Sequence, residues 1–427
     1  MRAVLWFLGL FAVAAAVALF AGNNQGTITV FWPPWRVDLS LNLTLLLLGA
    51  MFVLLHGALR ALSALFSLPV QARQWRTQQK ERALHGALLD AMTQLIAGRF
   101  SRARKAAQAA LAQEAALDHL GTHLPQAHQL RTLAHLMAAE SAQSLQDRRA
   151  RDEHLRAALE TGAPRLPPAS PETREGVQLR AARWALEDRD APAALARLEE
   201  LPQGAQRRTL ALRLHLKAAR QDGRTLEALE TARLLAKHRA FPQAAAQSIL
   251  RGLATELLSG AHDPAQLLNA WSQLDMAERA MPEVAIHGAQ RVVALHGDLA
   301  LARAWLLPVW ERMVEQPQAL GETLCVKLAL ALEAALDTVD GDWLARIEAA
   351  QRNNPRDAQL QYLAGMACLK RQLWGKAQQL LTQAGPAMHD AQLQRRIWRA
   401  LAEMAEARGD QPQALAAWKR AAQADNP

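Results

Sequence analysis

Two uncharged apolar stretches near the N-terminus constrain this chain most. Residues 3–21 read AVLWFLGLFAVAAAVALFA and residues 39–59 read LSLNLTLLLLGAMFVLLHGAL, and neither holds Asp, Glu, Lys or Arg. About 20 helical residues cross the roughly 30 Å hydrocarbon core of a bilayer. The first stretch would also suit a signal peptide that starts at Arg2. The second still predicts a membrane protein, so we expect a two-helix transmembrane hairpin over residues 1–68.

The positive charge of the chain is concentrated after the second stretch. The formal net charge is +9, and residues 60–105 hold nine Lys or Arg against two acidic residues. A basic block directly after an apolar span is typical of a cytoplasmic loop that is attracted to anionic lipid headgroups. It is less typical of a nucleic-acid-binding surface. The connector has only Arg36, offset by Asp38. We therefore predict a multi-pass membrane protein with both termini in the cytoplasm and no nucleic-acid partner.

Aromatic and basic residues flank the two stretches where a membrane interface is expected. Tryptophans are enriched at the level of the headgroups, and basic residues at the cytoplasmic side. The sequence predicts five interface residues: Trp32, Trp35, Arg60, Arg73 and Arg76. His56 lies one helical turn before Arg60, so we interpret it as a structural residue near the headgroups rather than as a functional site.

The remaining chain is predicted to be helical. The chain contains one tyrosine and many Ala, Leu and long charged side chains, and this composition favours helix. Its 427 residues are too many for one compact core. We expect no substantial sheet. The predicted fold class is all-α, with the transmembrane hairpin followed by a tetratricopeptide-like α-solenoid.

Small residues recur with the spacing of the 34-residue tetratricopeptide pattern. That pattern requires small side chains at positions 8, 20 and 27, where two antiparallel helices approach closely. Three repeats satisfy all three positions, with Ala91, Ala103 and Ala110; Gly365, Ala377 and Ala384; and Ala402, Ala414 and Ala421. Turns at Gly98, Gly223 and Gly409 match the same frame, whereas the units between drift from it and are interpreted as degenerate helical pairs.

Segment 161–172, TGAPRLPPASPE, is a proline-rich linker in this interpretation because its four prolines interrupt the helical period. It divides a membrane-proximal helical unit at residues 69–160 from a longer repeat array at residues 173–427.

Residue patterns typical of catalysis are scarce. The chain has no GxxxxGK[ST], GxGxxG, HExxH or GxSxG, so we predict a binding protein rather than an enzyme, with no catalytic residues and no metal site. Cys325 and Cys368 stand far apart and are predicted to be buried thiols. One histidine group stands out, and it consists of His119, His123, His128 and His135. His119 and His123 have the i, i+4 spacing of haem or metal ligands, so a haem or porphyrin site there is an alternative to a polar connector in which all four are surface histidines.

The chain resembles the HemY family of proteobacterial proteins associated with late haem biosynthesis. The resemblance rests on the apolar start, the loop TITVFWPPWRVDLSLN, the second apolar stretch and the basic segment that leads into LLDAMTQLIAGRFSRARKAA. This family is distinct from the flavin-dependent protoporphyrinogen oxidase that shares the name. Such an oxidase would need a dinucleotide-binding glycine motif, which is missing from this sequence.

The resemblance implies a non-enzymatic scaffold at the bacterial inner membrane that gathers tetrapyrrole-pathway enzymes or other membrane proteins. No cofactor is expected in that role. Two alternatives stay open: a direct porphyrin or haem carrier, and an envelope quality-control adaptor like LapB. Proteins like LapB resemble a design with a single membrane span and paired CxxC motifs. This sequence has two apolar stretches and no CxxC motif.

Overall fold

The computed structural model describes residues 2–22, 26–119, 126–160, 170–316 and 319–424, and these residues are almost entirely helical. The chain divides into two compact units, Met1–Ser170 and Pro171–Pro427. Most of the predicted linker 161–172, together with His123, lies outside the described residues.

The first unit holds two strands and five helices. They are α1 (Arg2–Gly22), β1 (Thr27–Trp32), β2 (Trp35–Ser40), α2 (Leu41–Ile96), α3 (Phe100–His119), α4 (Ala127–Ser144) and α5 (Arg148–Leu159).

The second unit is helical throughout its described residues. Its helices are α6 (Pro171–Glu187), α7 (Ala191–Glu199), α8 (Gln203–Gln206), α9 (Thr209–Gln221), α10 (Thr225–Lys237), α11 (Gln243–Ser259), α12 (Pro264–Ser272), α13 (Met276–Arg279), α14 (Pro282–Ala294), α15 (Leu299–Glu315), α16 (Glu322–Ala334), α17 (Gly341–Asn353), α18 (Ala358–Lys370), α19 (Trp374–Ala387), α20 (Ala391–Ala407) and α21 (Gln411–Gln423).

The connector between the two apolar stretches is a β-hairpin. Strands β1 and β2 pair antiparallel from Thr27 opposite Ser40 to Trp32 opposite Trp35. The β-branched and aromatic run before the two prolines favours extended backbone, and the prolines turn the chain. The expectation of no substantial sheet therefore needs one correction, a two-stranded sheet at this position.

Helix α2 is one continuous element of 56 residues, about 84 Å long. It begins where Ser40 caps its N-terminus, with the Leu43 N–H donating to the Ser40 Oγ at 3.3 Å. Its segment Leu41–Ser63 is long and apolar enough to cross a bilayer. Residues 68 and 69, between which the predicted domains meet, lie inside this helix. The apolar segment therefore continues without a break into the part of α2 that packs against α3.

Helix α1 has a shorter apolar stretch. Within Arg2–Gly22, the described side chains give the apolar segment Leu8–Leu19. Among the described residues, Leu41–Ser63 alone has the length and composition of a membrane span.

Helical pairs close through the same turn in both units. The second residue past the helix end has positive φ, and the next N–H donates to a carbonyl five residues back, as Arg99 does to Gln94 at 2.8 Å. Glycine fills the turn at Gly98, Gly223 and Gly409, as the sequence predicts. Five other turns use residues with a Cβ: Gln146, Arg189, Arg239, His296 and Gln372. The pair formed by α6 and α7, interpreted as degenerate from sequence, thus uses the same geometry at Arg189, whereas none of the residues 335–340 between α16 and α17 has positive φ.

The paired helices approach each other closely at the small residues. All nine residues predicted for these positions are buried, from Ala91 in α2 to Ala421 in α21. At Gly365 in α18, a Cβ would lie 2.7 Å from both Cγ and Cδ2 of Leu381 in α19. The close contact explains why the chain has glycine rather than alanine there.

Replacement of Gly365 by alanine should destabilise the second unit by about 1–3 kcal/mol, because the new methyl group overpacks against Leu381. The measurement is the urea midpoint of the full chain in detergent, followed by circular dichroism. Gly252→Ala is the control, since Gly252 is helical and a Cβ there meets nothing within 4 Å. It should be neutral or stabilising. Equal midpoints for the two variants would contradict the close packing.

Candidate partner-binding surface

A groove crosses the first helices of the last three pairs, α16, α18 and α20. Its cavity volume is about 510 Å³. The lining comes from one residue of α16, three of α18 and six of α20: Glu333; Met366, Leu369 and Lys370; and Gln392, Arg395, Arg396, Arg399, Ala400 and Glu403. We name this feature the basic groove, because its lining holds four cations and two carboxylates.

The basic groove has an apolar floor and a charged rim. Met366 and Ala400 are buried and Leu369 is half-buried, whereas Lys370, Arg395 and Arg399 are exposed. Helix α20 produces this arrangement because it is strongly amphipathic. One side buries a stripe at helical spacing, and the other carries the arginines; the buried stripe is Leu393, Ile397, Leu401 and Met404.

Two of the three helices that form the basic groove, α18 and α20, are capped by aspartates. The Asp357 side chain accepts from the N–H groups of Gln359 and Leu360 at 2.8 and 3.1 Å, at the start of α18. The Asp390 side chain accepts from the Leu393 N–H at 2.9 Å, at the start of α20. Such caps satisfy the first backbone donors and fix where each helix begins.

A buried carboxylate joins the three helices beneath the rim. The Glu333 side chain is 11% exposed and accepts from the Tyr362 hydroxyl at 2.5 Å and from Arg396 Nη1 at 2.6 Å. Burial, followed by the Glu333 charge, raises the pKa of Tyr362 far above its usual value near 10, although Arg396 lowers it. Tyr362 therefore stays protonated and donates to Glu333. We call these three residues the Glu333 network.

The Glu333 network was hard to predict from sequence, because Tyr362 and Arg396 lie 29 and 63 residues from Glu333 along the chain. The readable signal was the basic stripe of α20, in which Arg395, Arg396 and Arg399 recur at helical spacing. Its position beside α16 and α18 depends on the stacking of pairs, which sequence spacing alone leaves open.

The histidines that the sequence grouped together are separated by the structure. His119 is exposed at the end of α3. His128 and His135 belong to α4, where His128 is buried and His135 is half-buried. The prediction of surface histidines is therefore wrong for these two, because α4 already begins at Ala127 and turns them toward neighbouring helices. Among the described residues, no cluster of three His, Cys, Asp or Glu could hold a metal ion.

His135 contacts His154 of α5 instead. The two Nδ1 atoms are 3.1 Å apart, so one ring donates and the other accepts. Burial, with smaller contributions from His154 and Arg131, lowers the pKa of His135 to about 4. Burial also lowers the pKa of His154. This pair is held in the neutral form at physiological pH.

The predicted membrane-interface residues lie on the β-hairpin that precedes the apolar segment of α2 and on α2 itself. Trp32 and Trp35 face each other at the tip of the hairpin and are 75% and 73% exposed. Arg60 and Arg76 are exposed on α2. Arg73 also belongs to α2, and its side chain is outside the described residues.

Both cysteines are buried and free, which confirms the prediction of unpaired thiols. Burial raises the pKa of each thiol above its usual value.

Residues 26–146 match the family model described as the HemY protein N-terminus. This segment is 121 of the 427 residues, and it is similar to the N-terminus of HemY proteins. The matched residues include the hairpin, all of α2 and the helices α3 and α4. No curated protein matches the chain.

Solved structures similar to the chain include helical-repeat proteins. The Cut9–Hcn1 hetero-tetramer of the APC/C matches with a TM-score of 0.27, over 84% of this chain and 68% of that chain. Naa15/Naa10 bound to HypK-THB has a TM-score of 0.25, over 77% and 56%. The P58(IPK) TPR domain has a TM-score of 0.21, over 81% and 99%. Identity is 13% in each case, and scores this low carry no argument about function.

Replacement of Tyr362 by phenylalanine should destabilise the second unit by about 1–3 kcal/mol, because buried Glu333 loses one of its donors. The measurement is the urea midpoint of the full chain in detergent. In a Glu333→Ala background the same replacement should cost much less, since the acceptor is already gone. Additive costs in the double variant would contradict the hydrogen bond.

Acidification should destabilise the first unit through the histidine pair. The pKa of His135 is lowered on folding, so below the unfolded value near 6.5 the unfolded state binds more protons. Stability is therefore complete above about pH 6.5 and falls as the pH drops toward 4. We expect the melting temperature to fall between about pH 7 and pH 5, and to fall less for His135→Gln than for the control His119→Gln. An equal fall in both variants would exclude His135 as a source.

Proposed function

We propose that the chain is a membrane-anchored, non-enzymatic scaffold that binds enzymes of late haem biosynthesis through its helical repeats. The observation that carries this proposal is the HemY match over residues 26–146. It covers a helix long and apolar enough to cross a bilayer and the helices α3 and α4, so one matched segment joins a candidate membrane segment to the start of the helical repeats.

The geometry of α2 supports anchoring. A helix satisfies its own backbone hydrogen bonds in lipid and in water, so one helix can leave the bilayer and continue as part of a folded unit. The basic residues of α2, among them Arg76, Lys80 and Arg82, follow the apolar segment. Each adds about 1 kcal/mol of attraction near an anionic surface. We propose that α1 is the other span of a two-helix hairpin, with both termini in the cytoplasm of the bacterial inner membrane.

The repeat helices support a binding role. Stacked helical pairs present an extended surface without a preformed reaction centre, which suits protein partners. In the second unit the basic groove is such a surface, with exposed cations around an apolar floor.

The test is affinity purification of the full chain from native membranes in mild detergent, after crosslinking, with partners identified by mass spectrometry. We expect tetrapyrrole-pathway enzymes to be enriched, and deletion of the gene to change the porphyrin pools. The matched control is a chain in which residues 2–63 are replaced by an unrelated two-span anchor, which separates partner binding from shared membrane residence.

Recovery of no tetrapyrrole enzyme together with unchanged porphyrin pools would refute the scaffold. Saturable porphyrin binding in a Soret titration, weakened in His119→Ala with His123→Ala, would favour the carrier alternative. Recovery of envelope quality-control proteins alone would favour the LapB-like alternative.

A further inference from the structure

We propose that the basic groove binds an acidic segment of a partner protein, with acidic side chains on its rim and an apolar side chain on its floor. This inference rests on the proposed binding function and names the chemistry of one partner site.

The charges of the basic groove are unequal in availability. Arg396 donates to Glu333, whose side chain is 11% exposed, so that pair is part of the fold. Arg399 instead pairs with Glu403, 2.8 Å away on the same helix, and both side chains are more than half exposed. Exposed pairs of this kind are weak. A ligand carboxylate can therefore replace Glu403 at Arg399 with little loss to the fold.

The arginine stripe places like charges one turn apart on α20. Arg395 and Arg399 stand at i, i+4, where like charges disfavour a helix. Lys370 pairs with Asp337 at 2.5 Å, and because both side chains are exposed this pair is also weak. The lining holds four cations against two carboxylates, and this net positive charge favours an anionic ligand.

The remaining features favour a peptide over a nucleic acid. The floor, formed by Met366, Leu369 and Ala400, suits an apolar side chain. The stripe from Gln392 to Glu403 is about 17 Å long, which matches about five extended residues. Arginine forks also bind carboxylates in a bidentate manner.

The experiment measures binding of a fluorescein-labelled peptide, Leu-Glu repeated three times, to the full chain in lipid nanodiscs. The matched peptide is Leu-Gln repeated three times. The test variant is Arg395→Gln with Arg399→Gln. The control variant is Arg346→Gln with Arg352→Gln, which removes two exposed arginines of α17 and the same charge. Circular dichroism of both variants establishes that they fold.

We expect saturable binding of the Leu-Glu peptide, much weaker binding of the Leu-Gln peptide, and at least a tenfold loss in the test variant, about 1.4 kcal/mol. The control variant should retain the affinity of the unmodified chain. Three results would overturn the proposal: no saturable binding, equal losses in both variants, or a single-stranded DNA of twelve nucleotides that binds more tightly than the peptide.

The inference and the scaffold role fail separately. If tetrapyrrole enzymes are recovered equally with the unmodified chain and with the test variant, and the peptide does not bind, the basic groove is refuted and the scaffold stands. If the peptide binds as expected but no tetrapyrrole enzyme is recovered, the groove stands and the proposed pathway is refuted.

Discussion

The close approach of paired helices is the constraint on which the rest of the structure depends. At Gly365 a single added carbon would meet Leu381 at 2.7 Å, and at Gly385 it would meet Trp398 at 2.8 Å. With the backbones this near, the side chains of neighbouring pairs interlock and consecutive first helices lie side by side. The basic groove exists only because α16, α18 and α20 are held in that order, so a packing requirement in the core determines a surface at the rim.

Helix α2 combines a segment suited to lipid with a segment that packs in a folded unit. From Leu41 to Ser63 its side chains suit lipid, and from Leu84 onward it buries side chains against α3. No turn separates the two parts, because an α-helix leaves no backbone group unpaired along its length in either solvent. Sequence reasoning located the membrane segment from its lack of charge, yet it divided the chain near Pro69. The helix continues through residues 68 and 69, inside the 56 residues of α2.

The turns between paired helices could be predicted from sequence where glycine occupies the positive-φ position. The pairs closed by Gly98 and Gly409 could be read from sequence, because glycine adopts positive φ without steric cost. The pairs closed by Gln146 and Arg189 could not, since a side chain in that conformation is disfavoured by roughly 1–2 kcal/mol and is tolerated only where surrounding contacts enforce it. The hairpin of residues 27–40 was missed for the opposite reason: composition averaged over the whole chain hides one local β-branched run. The contacts that matter most for the candidate site, Glu333 with Tyr362 and Arg396, depend on three helices from three different pairs.

Burial determines which arginine of α20 is structural and which is available to a partner. The Glu333 side chain is 11% exposed, so little water reaches its carboxylate. The ion pair with Arg396 and the hydrogen bond from Tyr362 offset the cost of removing that carboxylate from water. Glu403 is 53% exposed, so water solvates it whether or not Arg399 is near. Loss of the first pair therefore leaves a buried charge without its cation, while loss of the second leaves two solvated ions. For this reason the fold fixes Arg396 on Glu333 and keeps Arg399 exchangeable on the same face of one helix, within a single turn.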